Sequence, residues 1–69
     1  MEYKLNGQPY IQLNNILKIL GLVGTGGEAK MRILDGEAFL NEEVCTIIRK
    51  KLVVGDKVIF DVAEITVVE

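Results

Sequence analysis

The sequence predicts an α+β fold, with two helices packed on a small, mostly antiparallel sheet. Three observations predict it. Leu13, Ile16, Leu17 and Leu20 recur at i, i+3, i+4 and i+7, the spacing of one apolar helix face. A second helical segment opens on Thr25-x-x-Glu28 and closes on Gly36. From Glu37 onward, β-branched residues, alternating in places, are cut by Gly, Asn and Asp into short segments, the pattern of strands and turns.

The elements follow in order. Residues 2–5 (Glu-Tyr-Lys-Leu) alternate weakly and predict a short strand. Asn6-Gly7 signals a tight turn, and Pro9 ends that region before 10–13 lead into the first helix. That helix is expected over 13–20. Gly21 stands where a positive φ ends a helix, and Lys18 in the last turn complements the helix dipole. Gly24-Thr25-Gly26-Gly27 is a connector. Thr25 and Glu28 match a capping box, in which the hydroxyl accepts from the third amide and the carboxylate reaches back. The second helix is expected over 26–35, with Ala29 and Ile33 facing the core and Leu34 at its edge. In the strand that follows, Ala38 and Leu40 point one way, Glu37 and Phe39 the other. Asn41-Glu42-Glu43 reads as a turn, 44–48 and 52–54 as strands, Gly55-Asp56 as a turn, and 58–60 and 65–68 as the last strands.

Composition narrows the function classes. A chain of 69 residues supports one domain with one small core, and the 49% hydrophobic content, mostly Ile, Leu and Val, is enough to build it. There is little room for a buried catalytic pocket. The formal net charge of -2 argues against a protein that coats nucleic acid by charge alone. The charge is unevenly spread, however. Arg49, Lys50, Lys51 and Lys57 face only Asp56 within 49–57, whereas 61–69 carries three carboxylates and no base. A local basic patch can hold phosphates while an acidic face keeps the protein soluble. The single cysteine, Cys45, has no internal disulfide partner, which fits a reducing compartment. The first ten residues show no apolar leader core and no apolar run reaches membrane-spanning length, so a cytosolic protein away from the membrane is expected.

The chain holds no His, Ser or Trp. The commonest general base, the serine nucleophile and the commonest metal ligand are therefore missing. Cys45 has no histidine to activate it and reads as a small, half-buried strand residue. Glu42 and Glu43 read as solvated turn charges. No zinc or calcium ligand spacing occurs. The expectation is a protein that is not an enzyme and takes no cofactor or metal.

What remains is anion chemistry. Gly24-Thr25-Gly26-Gly27 lacks the spacing of a nucleotide loop. As a helix start it exposes backbone N–H groups where the dipole favours an anion, and it reads equally well as a plain capped terminus. Lys30 lies one turn in and is the better phosphate ligand. Arg32 lies about 200° round the helix from it, on the other side of the Ala29/Ile33 stripe, and reads as ordinary solubilising charge. Arg49-Lys50-Lys51 is the densest basic run, suited to phosphate contact or to guarding the apolar segments beside it. Phe39, outward, is a candidate to stack on a base, and reads equally well as core packing or a partner contact.

The order of these motifs resembles the RNA-binding domain of the ribosomal-protein S-four type. Ile-Gln-Leu-Asn-Asn-Ile-Leu-Lys at 11–18 resembles its first helix. Gly24-Thr25-Gly26-Gly27-Glu28-Ala29-Lys30 resembles the Ser-Gly-Gly-Glu-Ala-Lys start of the second helix in small stand-alone bacterial members. Asp35-Gly36-x-x-x-Leu40-Asn41 resembles the family's E-G-x-V-x-V-N-G turn, and Lys50-Lys51-Leu52-x-x-Gly55-Asp56-x-Val58 its R-K-L-x-x-G-D-x-V ending. The likeness spans about residues 10–68. It implies the αL RNA-binding motif, two helices and a bent sheet, with structured RNA held by the second helix and the loops beside it. Carried over by position, it implies RNA contacts from Thr25, Gly26, Gly27 and Lys30, from Asn41, and from Arg49, Lys50 and Lys51. The RNA is ribosomal, transfer or small regulatory RNA, and the ribosome or another protein is a further candidate partner.

Two departures stand out. Glu42 follows Asn41 where the family has glycine, and Ile47 and Ile48 stand where relatives usually carry arginines. Losing two phosphate contacts weakens binding and flattens its salt dependence by about one unit per contact. Ile47, Ile48, Val53 and Val54 also motivate an alternative, a protein-interaction adaptor or homodimer that keeps the fold with weak or lost RNA binding.

Overall fold

A computed structural model describes residues 1–69. The chain runs β1 (Glu2–Lys4), β2 (Ile11–Gln12), α1 (Leu13–Ile19), α2 (Gly26–Leu34), β3 (Ala38–Leu40), β4 (Glu43–Val44), β5 (Lys51–Leu52), β6 (Lys57–Phe60) and β7 (Ala63–Val68). This is the α+β architecture the sequence predicts. The main sheet has the order β1-β7-β6-β3-β4, and β2 and β5 form a separate antiparallel ribbon. All pairings are antiparallel except β1 with β7, which run parallel with Tyr3 opposite Val67. The Leu5 amide donates to the Val68 carbonyl (2.9 Å), so the first strand is tied to the last.

Each element forms for a local reason. In α1 the predicted stripe is the buried face: Leu13, Ile16 and Leu17 are fully buried and Leu20 packs against them. In α2 the Thr25 hydroxyl accepts from the Glu28 amide at 3.1 Å, as a capping residue should. The Glu28 carboxylate reaches one residue further back than a capping box requires, and accepts from the Gly24 amide at 2.8 Å. Ala29 and Ile33 are the buried residues of this helix. In the sheet, Ala38, Val58, Phe60, Ile65 and Val67 point inward and join both helices in one cluster of 14 buried residues, none of them charged. Phe39 points outward, as expected, and is 39% exposed.

Two strand expectations need correction. Only Val44 of the 44–48 segment lies in a strand, forming β4 with Glu43, a residue expected in the turn; 45–50 is a loop that turns back on itself, with the Lys50 amide donating to the Ile47 carbonyl. Its apolar, β-branched composition reads as extended chain, but its carbonyls have another use. Gln12 gives α1 no side-chain cap, and the free amides of Leu13 and Asn14 donate instead to the carbonyls of Lys50 (2.9 Å) and Ile48 (3.1 Å). The loop is the cap of the first helix, and satisfying those orphan donors outweighs strand propensity. Likewise 52–54 contributes only Leu52 to a strand; Val53 and Val54 lie in a turn held by the Asp56 carboxylate, which accepts from the Val53 amide. Cys45 is buried, in the loop rather than in a strand.

Arg32 is also more than surface charge. Its guanidinium donates to Glu37 and Asp61, lies 3.7 Å from Glu28, and stacks 4.3 Å from the centre of the Phe60 ring. Hydrogen bonding to Asp61, then to Glu37, raises its pKa above the ordinary arginine value. The residue ties the end of α2 to the β6–β7 turn.

Candidate nucleic-acid interface

The capping loop has a consequence for chemistry. By docking on the start of α1, it brings Arg49 across to the start of α2. There Asn14, Gly26, Gly27, Lys30, Ile48 and Arg49 line a cleft of about 440 Å³, the roomiest hollow on the molecule. Three elements supply it: α1 gives Asn14, α2 gives the two glycines and Lys30, and the loop gives Ile48 and Arg49. Neither glycine carries a side chain to cover the amides of the first turn, and a Cβ at Gly26 would meet nothing within 4 Å. Open amides, a helix dipole and two cations converge where no carboxylate lines the wall. Such a site suits an anion with several oxygens.

Asn14 was not among the residues singled out from the sequence. Its Oδ1 is buried without a hydrogen-bond partner at the edge of this cleft. The available signal was weak: an amide at the second position of a helix whose preceding residue cannot cap it.

The other candidates are distributed. Thr25 spends its hydroxyl on the Glu28 amide and shapes the start of α2. The basic run does not act as one patch. Arg49 lines the cleft, Lys50 lines a separate groove with Leu40, Val44 and Ile47, and the Lys51 ammonium sits 4.9 Å from the centre of the Tyr10 ring. Asn41 occupies the tip of the β3–β4 hairpin. Its amide donates to Asp56 and its Oδ1 accepts from the Lys57 amide, both at 3.0 Å. Ile48 is half-buried against the core, whereas Ile47 is 59% exposed. Phe39 lies on the outer face of the sheet between Val44 and Ile59 and does not line the cleft. Lys30 and Arg32 face different neighbours, as their angular separation requires.

No helix is long and apolar enough to cross a membrane. No three His, Cys, Asp or Glu side chains stand together as metal ligands.

Fold and cleft together define a small α+β module that presents a cationic, amide-lined hollow between two helix starts. The chain belongs to the S4 domain family, whose pattern matches residues 3–68. It is similar to YbcJ from E. coli, whose solution structure is described as revealing an αL motif involved in RNA-binding. That likeness has a TM-score of 0.75 and 31% identity, and covers 99% of this chain and 86% of that one. No curated protein matches the chain.

Proposed function

We propose that this protein binds structured RNA, by contacts to the phosphate backbone, and performs no reaction of its own. One observation carries the reading. In a chain of net charge -2, Lys30, Arg49 and the open amides of Gly26 and Gly27 converge on one hollow free of carboxylates. Membership of the S4 domain family and the likeness to an RNA-binding αL motif support it. In this reading Lys30 and Arg49 hold phosphate oxygens and the glycine amides donate to them, while Thr25 keeps the helix start in shape. Lys50 and Lys51 extend the contact on either side, and Asn41 sets the hairpin at its border. Ribosomal, transfer and small regulatory RNA all offer the same backbone, and the cleft reads no base.

The test is binding of the purified chain to a labelled RNA hairpin at several salt concentrations. Lys30→Ala and Arg49→Ala should each weaken binding and lower the salt slope by about one unit. Lys57→Ala, a lysine outside the cleft, is the comparison. Equal losses for all three would deny the cleft any special role. Failure of the wild type to retain cellular RNA at low salt would remove the reading altogether. Crosslinking in cells followed by sequencing then names the RNA.

A second reading keeps one specific observation in its favour. Val44 and Ile47 are more than half exposed beside one groove, and Val53 and Val54 are about half exposed at the following turn. Such residues fit a protein partner or a second copy. Light scattering on the purified chain tests the homodimer, which a strict monomer excludes.

A further inference from the structure

A second hollow lies on the other side of the first turn of α1. Gln8, Pro9, Tyr10, Ile11, Gln12 and Asn15 line it, around about 270 Å³. We propose that this hollow takes an unpaired RNA base, stacked on Tyr10, from a nucleotide flanking the segment held in the cleft; the proposal rests on the RNA reading above. Three features of the hollow point to a base. Its walls carry no charge, which suits the neutral base and not the phosphate. Tyr10 is 37% exposed, and Lys51, which is not among the lining residues, fixes the ring by a cation–π contact at 4.9 Å. Gln8, Gln12 and Asn15 bring three carboxamides, each offering donors and an acceptor, and none takes part in a hydrogen bond within the protein. An aromatic face with free amides at its rim matches the face and the edge of a nucleobase.

The position supports the same occupant. Asn14 lines the phosphate cleft and Asn15 lines this hollow, so one strand crossing the first turn of α1 reaches both. Register places Lys51 opposite Gln12, and Arg49, two residues before Lys51, reaches into the cleft. Cations therefore stand on the path between the two hollows. The RNA this protein prefers is then a paired stem with a single-stranded neighbour, and not a blunt duplex.

The experiment measures fluorescence anisotropy of three labelled RNA hairpins that share one stem: one blunt, and one each with a single-stranded tail at the 5′ or 3′ end. One tailed hairpin should bind wild type about tenfold more tightly than the blunt one, the order expected for stacking one base. Tyr10→Ala should erase that advantage and leave blunt-hairpin affinity unchanged, and Tyr10→Phe should keep it. If Tyr10→Ala does not fold, the exposed pair Gln8→Ala and Asn15→Ala, made together, should reduce the advantage. Equal binding of all three hairpins by wild type, or an advantage that survives these substitutions, overturns the base site and leaves the phosphate cleft standing. Absence of binding to any hairpin at low salt overturns the RNA reading and this inference with it.

Discussion

Replacing Glu42 with glycine is expected to stabilise this protein, although glycine is the more flexible residue. Glu42 follows Asn41 in the two-residue turn between Leu40 and Glu43, and both turn residues have positive φ, 51° at Asn41 and 74° at Glu42. That geometry favours Asn-Gly. Asn41 suits it because Asn tolerates left-handed backbone and its side chain is fixed by Asp56 and Lys57. Glu42 has neither advantage, and its carboxylate enters none of the ion pairs. Left-handed backbone costs a residue with a Cβ roughly 1–2 kcal/mol. Glycine avoids that cost but loses about 0.5–1 kcal/mol of chain entropy on folding. The difference leaves a net gain of about 0.5–1 kcal/mol, or roughly 2–8 °C in Tm for a domain of this size. Circular dichroism of thermal and urea unfolding measures it. Glu42→Ala is the control, since it removes the charge and keeps the Cβ, and it should lie within about 0.5 kcal/mol of wild type. A Glu42→Gly protein no more stable than wild type, with an unchanged urea slope, would refute the assignment of strain to this turn.

Three further outcomes follow from the geometry. Asn41→Ala removes two side-chain hydrogen bonds and places alanine at positive φ, so it should cost about 1–2 kcal/mol by urea unfolding. Arg32→Met should lower Tm by several degrees, most at low salt, because it unties α2 from the β6–β7 turn. Asp61 and Glu37 raise the Arg32 pKa, so this contribution is complete below the ordinary arginine value and fades only as pH rises through the raised one; the wild-type-minus-Met difference should stay flat from neutral into ordinary alkaline pH. Asn14→Ala removes an unpartnered buried acceptor and should leave stability equal or higher by about 1 kcal/mol, while weakening RNA binding at the cleft Asn14 lines.

Periodicity and capping residues made the helices legible. The α1 stripe and the Thr25 cap are local features, each contained within a few residues. The hairpin at Asn41 was legible for the same reason. The 45–50 loop was not, because Val44, Thr46, Ile47 and Ile48 have the composition of a strand, while the carbonyls of Ile48 and Lys50 cap a helix more than 30 residues earlier in the sequence. That contact is long-range, and it decides the cleft: Lys30 and Arg49 were each visible as cations, but their meeting was not. The same docking divides Arg49, Lys50 and Lys51 among three surfaces, which a run of adjacent letters hides. Tyr10 and Asn14 carry no motif of their own and become notable only through Lys51 and the cleft.

The parallel pairing of β1 with β7 also governs the order of assembly. A polypeptide is made from its N-terminus, so β1 emerges well before β7, its neighbour in the sheet. The cleft and the loop contacts that hold it need only residues 13 to 50. A nascent chain thus has all the cleft-forming parts before the strand that closes the sheet is synthesised. Until then the edge of β6 that pairs with β7 lies open, and β7 serves as the clasp that shields it from other chains.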